Sequence, residues 1–553
     1  MKPLERLYNI LKLDRKDIIQ LFFYAIFSGL VSLSLPLGIQ AIINFLQAGR
    51  VSISWILLVI LVVIGVVFVG LLSLMQLRIT ENLQQKIFIR SSFEFAFRIP
   101  KIKFEAFYNQ YPPELANRFF DTLTLQKGIS KLLIDFSAAL LQIIFGLLLL
   151  SLYHSFFILF GILLIFLLYI IFKFSYQKGL NTSLNESKYK YKVATWLQEL
   201  AKNSATFKKD NQFTFGLQKN DALVQEYLKY RESHFSILKR QFSQLIIFKT
   251  LITACLLLIG GFLVLNQQMN IGQFVAAEII ILLVINSVEK IILGLETFYD
   301  VLTSIEKIGH VTDLPIEREN DKKTTTENYN AITIHADGVS FSYPETTDRV
   351  LDNIDLLINQ GEKILISGDN GSGKTTLMRL LAGHITPTMG NLYINDDTFN
   401  KINLNEYRMY IANMTQSETL FEGTLLDNIT FGKEINQNEL KEVLQNLQLI
   451  SFIKTLPDGL ETTITPDGKK LSSSNAQKIL LARCILSNPK ILFLENPTDK
   501  MDEATATQII DYLTNSKKNW TLIVSSKNKQ WQSKLDRELI MKNGVLIQDL
   551  KHN

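Results

Sequence analysis

The stretch Gly368-Asp369-Asn370-Gly371-Ser372-Gly373-Lys374-Thr375-Thr376 decides how the second half of the chain folds. It matches G-x-x-x-x-G-K-[ST] in full, the loop that cradles nucleotide phosphates. Upstream, Lys363-Ile364-Leu365-Ile366-Ser367 reads as a buried strand. Downstream, Thr376-Leu377-Met378-Arg379-Leu380-Leu381-Ala382 reads as the opening of a helix. Glycines let backbone N–H groups turn inward around a phosphate, and the helix N-terminus adds the positive end of its dipole. The motif therefore predicts ATP binding, with Lys374 on the β- and γ-phosphates and Thr375 holding Mg2+.

The chain has 553 residues and is too long for one core. It divides into an apolar half, up to about Val311, and a half with the composition of a soluble domain. A net charge of +5 is modest and gives no argument for a nucleic-acid partner. Cys255 and Cys484 both sit in apolar runs, which suggests packing and neither a disulfide nor a metal site. The first residues alternate basic and acidic through Lys16 and Asp17, and the first apolar run has no small-residue cleavage site, so a cleavable signal peptide is not expected.

Six apolar runs stand in the first half, at about 21–46, 55–77, 136–153, 155–172, 245–265 and 271–293. Each is close to the roughly 20 residues that a membrane-spanning helix needs. Short connections alternate with long ones. Basic residues gather before the first run (Lys2, Arg6, Lys12, Arg15, Lys16), after the second (Arg78, Lys86, Arg90) and after the fourth (Lys173, Lys178, Lys188, Lys190, Lys192). The positive-inside rule puts these segments, and with them both termini, in the cytoplasm. The long connections have a helical pattern and read as spanning helices that continue beyond the bilayer and turn back near 111–115 and 203–211. Pro36 interrupts the first run. Lys249 and Glu289 fall at similar depth and suggest a pair at the inner mouth of a pathway, and Glu278 lies deeper. Residues 316–329 are polar and threonine-rich, so the expected organisation is a membrane domain over 1–313, a linker over 314–330 and a soluble domain over 331–553. The soluble domain opens with Ala331–Ile334 and Val339–Tyr343, read as a hairpin-like pair of strands.

Taken with the phosphate loop, the chain resembles a half-transporter of the ATP-binding cassette exporters. It is similar to bacterial lipid, drug and haemolysin-type exporters over essentially its whole length. The resemblance implies six α-helical spans with long cytoplasmic extensions, fused to an α/β P-loop nucleotide-binding domain. It implies a dimer with two MgATP sandwiched between two cassettes, each held by the phosphate loop of one chain and the signature loop of the other. A homodimer is favoured, because nothing in the chain shows a partner, and a heterodimer with an intact cassette chain is the alternative. The two turns then become coupling helices. The setting is a bacterial inner membrane in contact with lipid, and a secretion adaptor is a further candidate partner. Tyr343 stands where an aromatic ring stacks on adenine. Gln416 stands at the glutamine that contacts Mg2+ and senses the γ-phosphate.

Other motifs depart from the family pattern. The signature Leu-Ser-Gly-Gly-Gln is here Leu471-Ser472-Ser473-Ser474-Asn475, and Pro466 replaces the acidic residue expected before it. The strand Ile491–Leu494 is followed by Glu495, at the metal-shell aspartate position, and Asn496, at the catalytic glutamate position. The next motif reads Asp499-Lys500-Met501-Asp502, and Lys527 occupies the switch-histidine position. An asparagine orients water but accepts no proton. General-base help is worth about 10²–10⁴ in rate, roughly 3–5 kcal/mol of barrier. Lys527 keeps a positive donor for the γ-phosphate without the positioning that histidine gives. Ser473 and Ser474 add Cβ atoms near the phosphate yet keep donors at a helix N-terminus. The sequence thus predicts a half-exporter that binds MgATP and hydrolyses it weakly. The alternative is a non-transporting, ATP-liganded module that regulates or scaffolds a secretion assembly.

Overall fold

A computed structural model of the chain describes residues 2–47, 53–108, 110–317, 331–346 and 348–551. The fold divides into two compact units, Met1–Pro100 with Tyr111–Leu314, and Lys101–Gln110 with Pro315–Asn553.

The first unit is helical. Its elements are α1 (Pro3–Leu13), α2 (Arg15–Ser32), α3 (Ser34–Gln47), α4 (Ile53–Arg98), α5 (Pro112–Asn117), α6 (Asp121–Tyr153), α7 (Phe156–Lys202), α8 (Asp210–Leu265) and α9 (Ile271–Thr312). Among the described residues, six helical stretches are long and apolar enough to cross a membrane. A helix satisfies every backbone N–H and C=O within itself, as hydrocarbon demands. The first span is broken. Pro36 has no N–H to offer the Ser32 carbonyl and its ring crowds that position, so α2 ends there and α3 restarts after Leu33. The Ser32 hydroxyl donates back to the Gly29 carbonyl at 2.7 Å.

The chain reverses where sequence patterning only partly expects it. Residues 111–115 do not form the first turn. Pro112 and Pro113 instead open α5, where a missing N–H costs nothing, and the reversal runs through 3₁₀ turns at Ile99–Lys101 and Phe104–Phe107. The second reversal, between Lys202 and Asp210, falls in the expected stretch around a 3₁₀ turn at Thr206–Lys208. Helix α9 is the most enclosed: half of its apolar window is buried, against 11% for α4. Neighbours approach it through small residues. A Cβ on Gly179 would stand 2.3 Å from the Tyr299 ring, and one on Gly294 would stand 2.4 Å from Phe136. Lys249 and Glu289 do pair, at 3.4 Å, and Glu278 is half-buried.

The second unit carries the sheets. Strands β1 (Ile334–Phe341), β2 (Leu351–Ile358) and β3 (Lys363–Gly368) precede α10 (Lys374–Leu381). Then follow β4 (Met389–Ile394), β5 (Asp397–Thr398), β6 (Ile411–Met414), β7 (Gly423–Thr424), β8 (Thr463–Ile464), β9 (Ile491–Glu495), β10 (Thr521–Ser525), β11 (Arg537–Lys542) and β12 (Val545–Lys551). The opening pair of strands is in fact one strand. Gly338, at φ +56°, absorbs a bulge in β1, which then pairs with β2 on one side and β4 on the other. The six-stranded sheet has the order β12-β11-β3-β10-β9-β6, with β3, β10, β9 and β6 parallel. β9 is buried along its whole length, which suits a strand read as a continuous apolar run. Most of the linker region, 318–330, lies outside the described residues.

Residues 101–110 belong to this unit although they sit between membrane helices in sequence. The Lys103 N–H donates to the Pro315 carbonyl at 2.9 Å, and the Glu317 N–H donates to the Lys101 carbonyl at 2.8 Å. The Arg379 guanidinium lies 4.9 Å from the Phe104 ring centroid. The Glu105 carboxylate accepts from the Thr386 N–H at 3.0 Å and hydroxyl at 3.2 Å.

His384 packs in the same region, 3.1 Å from the Asn413 amide. Burial, reinforced by the Arg408 charge, lowers its pKa from 6.5 to about 4. The unfolded chain takes up a proton below pH 6.5 that the folded unit refuses until about pH 4, so stability is lost as pH falls through that window. The loss reaches about 3 kcal/mol. Urea unfolding read by the tryptophans of the second unit should show it, and His384→Gln should flatten the slope. An unchanged slope in that variant would assign the acid sensitivity elsewhere.

Candidate nucleotide-binding site

β3 ends at Gly368 and α10 begins at Lys374, so the loop between them turns within five residues. Glycine is required at both ends. At Gly368 (φ +140°) a Cβ would stand 2.2 Å from the Met541 carbonyl oxygen, and at Gly373 (φ +98°) it would stand 3.0 Å from the Val350 carbonyl oxygen. Lys374 bends back over the loop, and its Nζ donates to the carbonyls of Gly368 and Asp369, both at 2.7 Å, and to Ser372 Oγ at 3.3 Å. Burial lowers the pKa of Lys374, and the nearby charge of Lys527 lowers it further. Two cations thus face one cavity, an arrangement that an anion relieves.

That cavity is about 590 Å³. Its walls include Asn370, Gly371, Ser372, Thr375 and Thr376 of the loop, and Gln416, Glu495, Asn496, Asp499 and Lys527 from the strand ends. Glu495, the last residue of β9, is buried. Its Oε2 accepts the Gln416 backbone N–H at 3.1 Å, while its Oε1 is buried with no hydrogen-bond partner. Glu495 lines the cavity together with Thr375 and Gln416, and a divalent cation held among them would satisfy the oxygen that no donor reaches. Thr375, Gln416 and Glu495 would hold Mg2+.

Asn496 adopts φ +47°, a left-handed conformation that asparagine tolerates well. Its N–H donates to the Ser525 carbonyl at 2.7 Å, its carbonyl accepts from Gln477 Nε2 at 2.6 Å, and its side-chain amide lies 3.5 Å from Gln416 Oε1. Lys527 follows β10 and is exposed to the cavity. Tyr343 is half-buried beside the loop, its hydroxyl 3.3 Å from Thr376 Oγ1. The Tyr108 ring stacks on it at 4.5 Å and 12° between planes. Ser472, Ser473, Ser474 and Asn475 are not brought to this cavity. Ser472 instead caps the helix Ser473–Leu486, accepting the Asn475 N–H at 3.2 Å.

Two contributors escaped sequence reasoning. Asp499 puts a second carboxylate on the cavity wall and accepts from the Ser526 hydroxyl at 3.3 Å. Its place in the motif after Asn496 was the available signal. Tyr108 is 235 residues from Tyr343, and no local pattern announces their stack.

Comparison with known proteins follows the same division. A family model described as "ABC transporter transmembrane region" matches residues 18–288, and one described as "ABC transporter" matches residues 351–499. An ABC-type transporter of Aspergillus fumigatus is 29% identical over 249 residues, 44% of this chain and 19% of its own length. An ATP-dependent lipid A-core flippase of Chromobacterium violaceum is 35% identical over 217 residues, 39% of this chain and 37% of its own. The chain thus spans well under two thirds of the length of these relatives. A bacterial Atm1-family ABC exporter solved with ATP bound shares the fold, with a TM-score of 0.85 at 17% identity, covering 97% of this chain and 95% of that one.

The orphaned oxygen of Glu495 makes a metal prediction. In Glu495→Gln, ATP affinity measured with Mg2+ should fall by about tenfold or more. Affinity measured with a chelator should barely move. Equal losses under both conditions would mean that Glu495 shapes the pocket without holding the ion.

Proposed function

We propose, for a chain that joins the transmembrane region of an ABC transporter to an ABC transporter nucleotide-binding domain, that it works as half of an exporter and holds MgATP more readily than it cleaves it. Tyr343 stacks on adenine. Gly368 to Thr376 wrap the phosphates, with Lys374 on the β- and γ-phosphates. Thr375, Gln416 and Glu495 hold Mg2+, which neutralises charge on the transferring phosphate. Ser472 to Asn475 complete the site of a second chain. Two copies close on two nucleotides, and closure switches the membrane pathway by favouring the outward-facing state. The charge bias of the connections supports cytoplasmic termini in a bacterial inner membrane, and lipid covers the apolar outer faces. A homodimer is the simpler assembly. A heterodimer with an intact cassette chain would recover one hydrolytic site.

One observation carries this reading. Asn496 and Lys527 line the same cavity as an intact phosphate loop and a metal-ready Glu495. Binding groups are present, whereas the positions that would activate water are an amide and an ammonium. Asn496 can hold water by hydrogen bonding but cannot remove its proton. Lys527 stabilises γ-phosphate charge in the ground state as much as in the transition state, and uniform binding of that kind does not speed the chemical step. The same pair of residues favours the second reading, in which ATP acts only as a conformational ligand of a secretion assembly.

Turnover by the purified full chain in lipid nanodiscs tests the proposal. The Asn496→Glu/Lys527→His variant should hydrolyse ATP at least about a hundredfold faster than the natural chain, the lower end of general-base help. Residual turnover should vanish in Lys374→Ala, which excludes contamination. Natural-chain rates equal to the double variant would overturn weak hydrolysis. ATP-dependent cross-linking of the two nucleotide-binding domains without turnover would favour the conformational-ligand reading.

A further inference from the structure

A second large cavity, about 730 Å³, lies wholly within the helical unit. Lysines from three helices line it: Lys188 and Lys192 of α7, Lys219 of α8 and Lys307 of α9. Arg118, just after α5, joins them. Carboxylates are fewer than cations here: Glu114 and Glu199 line the cavity, and Asp121 lies behind it, accepting from the Tyr191 hydroxyl and lying 3.9 Å from Lys190. Glu114 pairs with Arg118 at 3.1 Å, and Glu199 accepts from the Asn203 amide at 3.2 Å. Among the described residues, none of the four lysines has a carboxylate within ion-pair distance, and Arg118 Nε is buried without a partner. Aromatic faces hold the cations instead. Lys219 sits 4.0 Å from the Trp196 ring centroid, and Lys307 and Arg118 sit 5.8 and 6.0 Å from that of Tyr191. Cation–π contacts position a charge without neutralising it. The result is a preformed site of net positive charge with flat apolar walls, in the size range of small-ligand pockets.

Distance decides what it binds. At 1.5 Å per residue, Lys307 stands about 21 Å beyond Leu293, the last residue of its apolar run, and Lys188 stands about 24 Å beyond Phe172. A lipid headgroup anchored in the bilayer does not reach that far. We propose that this cavity binds a compact, water-soluble polyanion bearing phosphate groups, held by Lys188, Lys192, Lys219, Lys307 and Arg118 against Trp196 and Tyr191. Calling such a ligand cargo rests on the export reading above. Its binding does not.

Trp196 is the reporter. The full chain carrying Lys374→Ala, which silences the phosphate loop, is placed in phosphatidylcholine nanodiscs and titrated with pyrophosphate without nucleotide. A saturable change in emission is expected that disappears in Trp196→Phe. Lys219→Gln/Lys307→Gln should weaken it by about tenfold or more. Lys219→Arg/Lys307→Arg keeps the charge and should retain binding, which separates lost contacts from lost folding. Added salt should weaken binding steeply. No Trp196-dependent change up to about 10 mM pyrophosphate, an affinity too weak for a built site, would overturn the proposal. So would equal affinity in the Gln and Arg variants, or a signal that requires phosphatidylglycerol in the discs and ignores pyrophosphate. Because no step uses ATP, a failed hydrolysis or transport assay with intact pyrophosphate binding would count against the export reading alone.

Discussion

Because β11 lies parallel beside β3 with Met541 opposite Gly368, the Met541 carbonyl occupies the space that any side chain at 368 would need. The loop that follows, the start of α10 and the place of Lys374 all depend on that close approach. The strand order does the rest. β3, β10 and β9 are adjacent and parallel, so their carboxyl ends bring Gly368, Ser525 and Glu495 to one edge of the sheet. A crevice outside the carboxyl ends of parallel strands is the general location of ligand sites in α/β folds. Gly368 and Glu495, more than a hundred positions apart, come to the same edge because only β10 lies between their strands.

The same scaffold explains how the site can lose chemistry without losing shape. Asn496 takes a left-handed backbone conformation, ties its N–H to Ser525 and its carbonyl to Gln477, and so fixes the path into the next motif. None of those bonds involves its side chain. Asparagine here replaces the family's carboxylate with an amide on a side chain one methylene shorter, and it suits the left-handed backbone that these bonds fix. Lys527 likewise follows β10 and is exposed, so its long side chain takes up no room in the core.

Features set by local physics were legible in the sequence. The phosphate loop was read from its glycines and its flanking strand and helix. The six spans followed from apolar runs of bilayer length, and the break near Pro36 from a missing N–H. What was hidden depended on distant partners. Ala331–Ile334 and Val339–Tyr343 looked like a hairpin-like pair of strands, yet pairing with β2 and β4 on both edges makes one bulged strand over Ile334–Phe341. Pro112 and Pro113 looked like a reversal, but proline serves equally well at the start of a helix, and the chain had already turned. Tyr108 and the lysine-lined cavity are products of tertiary packing, and no spacing in the sequence encodes them, whereas Asp499 had a signal in its place just after Asn496.

Residues 101–110 have a consequence for the order of events at the ribosome. Glu105 waits for Thr386, which lies 281 residues downstream. At roughly 5–20 residues per second, that interval is about 15–55 s, long enough for membrane insertion of the intervening helices. For most of it Phe104 and Tyr108 have neither Arg379 nor Tyr343 to pack on. The earliest-made piece of the nucleotide-binding unit therefore waits for partners made much later, and the unit is not encoded by one uninterrupted stretch of message. A C-terminal half made alone from Pro315 onward would fold without ten of its own residues, leaving Arg379, Thr386 and Tyr343 uncovered.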